Sequence, residues 1–323
     1  MVNHKSKVTS RREFIMSAGL VLAGSMMKLD SLAEATAIKS EPIIDIHQHI
    51  HYHSRTDEQL LAHQRAMGIT KTILLPAGRP ANSASTHQGA SNGLEADAGG
   101  NAECYCFAKG HKKEFLFGAN AVPDAKDAIS EIEKYLKLGA VVIGELKFGV
   151  DCDAPEMQKI YQLAQAYDVP VLMHWQHKRY NYDFERFYKM LEKYPRVNFI
   201  GHAQTWWANI DKNHTDQSVL YPKQSVTPGG ITDRYLSDYA NMFGDLSAGS
   251  GLNALTRDED HAKDFLERHQ DKLIYGSDCE DPGGQAASGC TGALDIAEVR
   301  KLSSSKKVER KLLHDNAKKL FKI

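Results

Sequence analysis

From Pro42 onward the chain alternates short apolar runs with segments in which apolar residues recur every three or four positions. The short runs are typical of buried strands, and the longer periodic segments are typical of amphipathic helices. Eight candidate strands occupy residues 42–49, 71–78, 114–121, 140–148, 170–175, 197–203, 241–248 and 272–279. Helical periodicity is clearest over residues 124–139, 154–168, 182–195 and 258–271.

Eight strands, each followed by a helix or a long connection, predict an α/β fold: a single-domain (β/α)₈ TIM barrel. Pro123, Asp153 and Asp258 stand where helix start signals belong, and Gly139 follows the last periodic residue of its helix. A doubly wound open sheet is the alternative. It would normally carry a glycine-rich phosphate loop after the first strand, and this sequence has none there.

Two connections are much longer than the others. Residues 78–101 are rich in Gly, Ala, Ser and Asn, and residues 204–233 contain two adjacent tryptophans and a Pro-Gly-Gly turn. In a barrel both would leave the carboxyl ends of strands, the face where active sites are built. We therefore expect both to be active-site loops.

The first 37 residues need a separate interpretation. Residues 10–27 begin with Arg11 and Arg12 and continue into a modest apolar stretch that is too short and too rich in small residues to span a membrane. The segment resembles a twin-arginine export signal, with small residues at 35–37 as a cleavage site. We expect residues 1–37 to be this signal, residues 38–323 to be the barrel domain, and the protein to be periplasmic or extracellular. The alternative is an N-terminal helix that belongs to the fold.

Composition excludes some partners. Of 323 residues, 42% are hydrophobic, and the formal net charge is −1, so no basic surface for nucleic acid is indicated. We expect a small-molecule substrate, while a homo-oligomer stays open. Five cysteines, without a CxxC pair, do not form a disulfide framework. Cys279 and Cys290 could bridge within one loop, which the sequence does not decide.

Ionisable side chains cluster at the carboxyl ends of the predicted strands. These residues are His47, His49, Glu145, Lys147, His174, His202 and Asp278. Imidazole and carboxylate are the ligands that zinc requires, and an open coordination position would leave room for a water molecule. Each residue alone has an ordinary explanation, such as a buried core histidine or a helix cap. Five strand ends carrying ligand types in one barrel register favour a metal site.

The same residues carry a family resemblance. IDIHQH, MHW, IGHA, YGSDCE and the ending DNAKKLF resemble the amidohydrolase superfamily, in its amidohydrolase-related, metal-dependent TIM-barrel branch, which includes aminocarboxymuconate-semialdehyde decarboxylase. The resemblance spans about residues 42–323.

The resemblance implies His47, His49 and His174 as metal ligands. Asp278 would bind the metal and also move a proton. His202 would be a second-metal ligand, or would position and deprotonate water or substrate. Glu145 stands where TatD-like hydrolases carry a metal-bridging glutamate. The expected cofactor is a divalent metal, with zinc favoured. Because the branch is usually mononuclear, one ion is expected, and two ions are the alternative because Glu145 completes a two-metal set.

Supporting residues have two interpretations each. Lys147 and Arg79 suit a substrate carboxylate or a structural ion pair, and Trp206 suits a pocket wall or ordinary packing. Asp245 suits a carboxylate that orients a ligand histidine. Asp45 shares the alternation of His47 and is expected on the same face below the metal, supporting His47.

These residues predict a metal-dependent hydrolase in which activated water attacks a small ester, lactone or amide, and a substrate that bears a carboxylate is expected. His202 or Asp278 would accept the proton, and Asp278 would return it. A non-oxidative decarboxylase on the same scaffold is the first alternative. A non-catalytic periplasmic protein that binds a metal or small molecule is the second.

Overall fold

A computed structural model of the protein describes residues 41–76 and 98–323. The predicted signal segment and Arg79 lie outside the described residues. The described chain contains eight parallel strands, β1 to β8. They span Ile43–Gln48, Ile69–Leu74, Phe115–Phe117, Ile143–Leu146, Val171–His174, Phe199–His202, Met242–Asp245 and Leu273–Ile274.

The strands form one closed barrel. Ladder pairing joins β1 to β3 and β4 to β8 in sequence order. Between β3 and β4, the N–H of Gly144 donates to the carbonyl of Ala119 at 2.9 Å. Between β8 and β1, the N–H of Ile46 donates to the carbonyl of Tyr275 at 3.2 Å. The predicted TIM barrel is confirmed.

Helices surround the strands. The α-helices, α1 to α12 in order, span Asp57–Ala66, Asn101–Gly110, Ala128–Lys137, Pro155–Tyr167, Tyr188–Lys193, Gln204–Ala208, Ile231–Asp238, Ala248–Thr256, Glu259–Arg268, Thr291–Leu302, Lys306–Arg310 and Asn316–Phe321. No helix in residues 41–76 or 98–323 is long and apolar enough to cross a membrane.

Two of the four helix-boundary predictions are confirmed. The Asp258 carboxylate accepts the N–H of His261 at 3.1 Å and caps α9, and Gly139 ends α3 with φ +104°. Pro123 and Asp153 do not mark starts: α3 begins at Ala128, and the carboxylate of Asp153 accepts hydrogen bonds from Arg186. Helix α2 was not predicted, because its Cys- and Gly-containing sequence has weak periodicity.

The barrel has an inner and an outer apolar layer. The inner cluster contains Ile44, Ile46, Ile73, Leu75, Val142, Leu172, Ile200 and Ile274. The outer layer, between strands and helices, includes Ile43, Leu74, Ile143, Val171 and Phe199. Strand residues thus alternate between the two layers, as a filled barrel requires.

Strand β1 breaks this alternation. Its register with β2 shifts between Asp45 and Gln48, a bulge that brings His47 to the inner side directly after Ile46. Asp45 lies on the outer side, where its Oδ2 accepts a hydrogen bond from Gln64 of α1 at 2.8 Å. The prediction that Asp45 shares the face of His47 is therefore wrong. Its support of His47 is confirmed, because Oδ1 accepts the N–H of His47 at 3.0 Å.

Trp206 lies in the outer layer. It is fully buried, and a Cβ built on Gly201 would lie 2.4 Å from its indole ring. Gly201 follows inward-facing Ile200 in β6, so this contact is on the helix side of the strand. Trp206 also packs edge-on against Phe184. The prediction that Trp206 walls the substrate pocket is corrected: it packs between barrel and helices.

We expect Gly201→Ala to destabilise the protein by about 1–3 kcal/mol, because the new methyl overlaps the Trp206 ring in a closely packed layer. Urea unfolding would measure the loss. Gly249→Ala is the matched control: there the methyl would meet nothing closer than Tyr221 at 3.9 Å. Equal midpoints for both variants would contradict the packing described for Trp206.

Candidate metal centre

Six ionisable side chains converge at the carboxyl ends of five strands. They are His47, His49, Glu145, His174, His202 and Asp278. The histidine and glutamate side chains are at most 6% exposed, whereas that of Asp278 is 13% exposed. The structure therefore brings together the predicted set, with Asp278 the most open member.

The protonation of His47 and His49 follows from their partners. His47 Nδ1 lies 2.7 Å from the Asp245 carboxylate, and His49 Nδ1 lies 2.7 Å from the carbonyl of Leu75. Both partners only accept, so both Nδ1 atoms carry the proton in the neutral rings. If both rings were neutral, the two Nε2 lone pairs would face each other at 3.2 Å. Burial lowers the pKa of His47, but the charges of Asp278 and Asp245 outweigh it and raise the value, so a proton between the two Nε2 atoms relieves this repulsion in the metal-free protein. A cation between them would replace this repulsion with attraction.

Glu145 lies between two groups of imidazoles. Its Oε2 is 3.6 Å from His49 Nε2 and 3.9 Å from His47 Nε2. Its Oε1 contacts His174 Nδ1 in a short hydrogen bond and is 3.7 Å from His202 Nε2. One carboxylate thus offers one oxygen to each group.

Asp278 divides its oxygens in the same way. Oδ1 is 3.3 Å from His49 Nε2 and 3.8 Å from His47 Nε2, while Oδ2 is 3.6 Å from His202 Nε2. The N–H of Asp278 donates to the carbonyl of His47 at 2.7 Å, which fixes the end of β8 against β1. Asp278 therefore faces both halves of the cluster.

Polar residues behind the imidazoles fix the orientation of their rings. Asp245, at the end of β7, accepts from His47 and lies 3.3 Å from His202 Nδ1, as the sequence predicted for an orienting carboxylate. The hydroxyl of Ser247 donates to Asp245 at 2.8 Å and lies 3.0 Å from His202 Nδ1. Such partners fix the ring orientation of metal-binding histidines.

The charges of the cluster favour a cation. Burial raises the pKa of Asp278 and Glu145, but neighbouring histidines outweigh burial and hold both values well below the ordinary range. Burial lowers the pKa of His174 to about 4 against the opposing effect of Glu145, so this ring stays neutral, as a ligand must. Burial lowers the pKa of His202, but Asp245, Asp278 and Glu145 outweigh burial and raise the value to about 10. The two buried carboxylates are therefore balanced by imidazolium charge, which a divalent cation would replace.

Two orphaned atoms test whether a metal fits. Within the described residues, neither His174 Nε2 nor Asp278 Oδ1 has a hydrogen-bond partner, although both are buried. Unpaired buried polar atoms are costly unless something binds them. Together with the facing Nε2 atoms of His47 and His49, they match a divalent-metal centre.

A family model described as amidohydrolase matches residues 44–323. The chain belongs to the amidohydrolase family. A search of curated proteins found no match. Family membership and the donor set together assign this amidohydrolase a divalent-metal centre.

Solved structures share its fold at low identity. One is a dihydroxybenzoic acid decarboxylase from a Polaromonas species with bound manganese and the inhibitor 2-nitroresorcinol: 15% identity, TM-score 0.54, covering 87% of this chain and 97% of that one. A probable 2-pyrone-4,6-dicarboxylic acid hydrolase from Acinetobacter baumannii with bound citric acid has 15% identity, TM-score 0.54 and coverage of 87% and 99%. A TatD homologue from Escherichia coli has 16% identity, TM-score 0.54 and coverage of 87% and 98%.

Three residues at the centre escaped the sequence analysis of this amidohydrolase. Tyr52 is hydrogen-bonded to Asp278, whose charge, together with burial, raises the pKa of the phenol well above its ordinary value. Asn120 donates to the carbonyl of Glu145 at 2.9 Å, and Asn181 donates to the carbonyl of His174 at 2.6 Å. Asn120 lies three residues beyond the end of β3, so its position near a strand end was a usable signal; Tyr52 and Asn181 lie on turns.

The remaining predicted residues lie near the centre or outside it. Lys147 is half-buried at the end of β4, with Nζ 5.6 Å from the centre of the Tyr180 ring. Its charge helps to lower the pKa of Glu145. The neighbouring His51 and His53 are exposed and contact the carboxylates of Asp57 and Glu280.

Asp295 of α10 is fully buried behind the centre. Neither of its oxygens has a partner in the described part of the chain. Burial, followed by the charge of Asp245, raises the pKa of Asp295 well above its ordinary value. The acid is therefore neutral in the folded protein at a pH where the unfolded chain ionises it.

We expect Asp295→Asn to flatten the fall of stability with pH. Because the folded pKa of Asp295 is raised, the folded state binds more protons than the unfolded state above about pH 4. Wild-type stability then falls by up to about 1.4 kcal/mol per pH unit as the pH rises toward the folded pKa. Unfolding between pH 5 and pH 8 would measure the slope, with exposed Asp264→Asn as control. The same slope in wild type and Asp295→Asn would refute this assignment.

Proposed function

We propose that this amidohydrolase is a hydrolase that uses two divalent ions, with zinc the expected metal, to cleave a small ester, lactone or amide. The observation that carries the proposal is Glu145, whose two oxygens face separate groups of imidazoles. One group is His47 with His49, and the other is His174 with His202. Bridging carboxylates of this kind are typical of two-metal hydrolytic sites.

When bound, divalent ions at these ligands lower the pKa of water and polarise a carbonyl oxygen. Asp278 accepts a proton from the attacking water and returns it to the leaving group. Its greater exposure lets it reach the substrate side of the cluster. The Tyr52 hydroxyl orients Asp278 through their hydrogen bond. In a centre with one ion at His47 and His49, His202, 3.6 Å from Asp278 Oδ2, would be the alternative proton acceptor.

The substrate in this proposal carries a carboxylate. Lys147 lies two residues beyond Glu145 and is the cation of the described chain that best fits such a group. The sequence also nominates Arg79, after β2, for the same role. We propose both as substrate-binding residues that act by charge and not in proton transfer.

Non-oxidative decarboxylation is the second candidate. The fold is similar to that of the dihydroxybenzoic acid decarboxylase, and Lys147 would hold a substrate acid in this reaction also. Here Asp278 would deliver a proton to the carbon that loses CO₂. No water enters the product, which distinguishes the two reactions.

Metal removal and product analysis test the proposal. Dialysis against a chelator is expected to abolish turnover, and added zinc or manganese is expected to restore it. With lactone, ester and amide substrates in ¹⁸O-labelled water, hydrolysis puts one ¹⁸O into the product acid. Release of CO₂ with no ¹⁸O in the organic product would show that the reaction is decarboxylation and not hydrolysis. If the metal-bound protein turned over neither class of substrate, the alternative of a non-catalytic protein that binds a metal or small molecule would be favoured. Full activity in His47→Ala would contradict the assignment of the metal centre.

Residues 1–37 are proposed as an export signal of the twin-arginine type. Arg11 and Arg12, followed by the apolar stretch, support this proposal. Expression with Arg11→Lys and Arg12→Lys is expected to leave the protein in the cytoplasm, whereas the unchanged chain is exported and shortened. Export of both forms alike would contradict it.

A further inference from the structure

We propose that Cys279 and Cys290 form a reversible disulfide at the base of the loop that follows Asp278. Cys279 is the next residue after Asp278, and Cys290 directly precedes α10, so the bond would close the loop of residues 280–289. The proposal concerns thiols outside the metal centre and does not depend on which reaction the centre performs.

The two sulfurs are already in contact. Their Sγ atoms lie 2.9 Å apart, and both side chains are buried. A disulfide bond of about 2.05 Å needs a closure of roughly 0.9 Å, which side-chain torsions can supply. Around a tetrahedral zinc ion two thiolates would instead stand roughly 3.8 Å apart. The observed separation therefore favours a bond between the sulfurs over a shared zinc ion.

His63 of α1 is oriented to accept a thiol proton. The Gln64 amide nitrogen donates to Asp45 at 2.8 Å and to Thr72 at 2.7 Å. The Gln64 oxygen must then face His63 Nδ1, 2.9 Å away, and accept its proton. Nε2 keeps its lone pair and lies 3.2 Å from Cys290 Sγ. The buried amide thus fixes the histidine tautomer that can accept a proton from Cys290.

The start of α10 holds both sulfurs. The N–H of Gly292 and the side chain of Thr291 are hydrogen-bonded to Cys279, and the N–H of Ala293 is hydrogen-bonded to Cys290. On the other side, Arg55 and Gln48 donate to the carbonyl of Cys279, at 2.7 and 3.1 Å. The pair is therefore held in bonding position from both sides.

The oxidant is a small-molecule disulfide of the glutathione type. His63 takes the proton of Cys290, whose sulfur attacks one sulfur of the oxidant, breaks its S–S bond and releases one thiolate, which then receives the proton from His63. Cys279 then attacks Cys290 in this mixed disulfide and releases the second thiolate, which takes up the proton of Cys279. Overall the two protein thiols lose two electrons and two protons, and the oxidant becomes two thiols.

Closing the loop restricts the unfolded chain, so the oxidised protein is expected to melt about 5–10 °C higher than the reduced protein. The full-length metal-loaded protein would be incubated with glutathione disulfide or dithiothreitol and then denatured in the presence of a maleimide, which labels free thiols. Mass spectrometry of the intact protein would count the labels. We expect oxidation to remove two of the five free thiols and a digest to contain a crosslink between Cys279 and Cys290.

Variants make the test specific. Cys279→Ser and Cys290→Ser are expected to lose the melting shift, whereas Cys152→Ser, which removes a buried thiol elsewhere, retains it. His63→Gln should slow oxidation at pH 7 at least about tenfold without changing the melting temperature of the fully oxidised form. Five reactive thiols after oxidation, or loss of one zinc ion per chain in Cys290→Ser, would overturn the disulfide.

Discussion

Replacing Asp278 with asparagine is expected to lower kcat by about 10³- to 10⁴-fold, the largest loss for any proton-transfer residue in this account. Asparagine keeps the shape of the side chain and tolerates its left-handed backbone, where φ is 41°. It cannot accept a proton in the reaction. Steady-state kinetics on a responsive substrate would give the loss, and circular dichroism would show whether the fold is retained.

Glu280→Gln is the matched control for Asp278→Asn. Glu280 lies two residues farther along the chain, is exposed, and pairs with His53 on the surface at 2.9 Å. Its loss is expected to change kcat less than about twofold, because exposed ion pairs contribute little. If Asp278→Asn retained more than a tenth of the wild-type rate, Asp278 would not be the proton carrier.

The second large effect concerns Glu145. We expect Glu145→Gln to lose at least one of two metal ions per chain and to lower kcat/KM by about 10²- to 10³-fold, since a neutral amide bridges two cations poorly. Native mass spectrometry would count the ions, and kinetics at saturating zinc would separate weak metal binding from a slower reaction.

Lys147→Gln distinguishes bridging from a simple ion pair. The charge of Lys147 acts on Glu145, yet both Glu145 oxygens lie within 4 Å of histidine nitrogens. We therefore expect Lys147→Gln to keep its metal ions while KM for an acidic substrate rises. Loss of metal in Lys147→Gln equal to that in Glu145→Gln would mean that the lysine, and not the bridge, sets the position of the carboxylate.

The positions of the candidate metal ligands could be predicted from the sequence because a barrel brings the carboxyl ends of its strands together. Parallel strands end at a common rim, so any polar residue at a strand's carboxyl end lies near the others. His174 and His202 face each other across β5 and β6 in exact ladder register. The fold and the meeting of the six side chains could therefore be predicted without geometry.

The predictions that were wrong concern side chains whose direction depends on local backbone geometry, which the alternation of apolar and polar residues does not encode. A bulge in β1 separates Asp45 from His47, although their spacing predicts a shared face. Trp206 lies in α6, which begins directly after Ala203, a non-glycine residue with φ of 79° that no periodic pattern predicts. Tyr52 contacts Asp278 from an irregular turn, where no periodic pattern exists to indicate its direction.

Glu145 is proposed to bind two ions, one through each carboxylate oxygen. The most direct test is the number of divalent metal ions per chain in the wild-type protein, measured by inductively coupled plasma mass spectrometry after loading with zinc and removal of free metal. The arrangement of His47, His49, His174 and His202 around Glu145 predicts two ions per chain. A plateau at one ion per chain, unchanged in Glu145→Gln, would contradict the account.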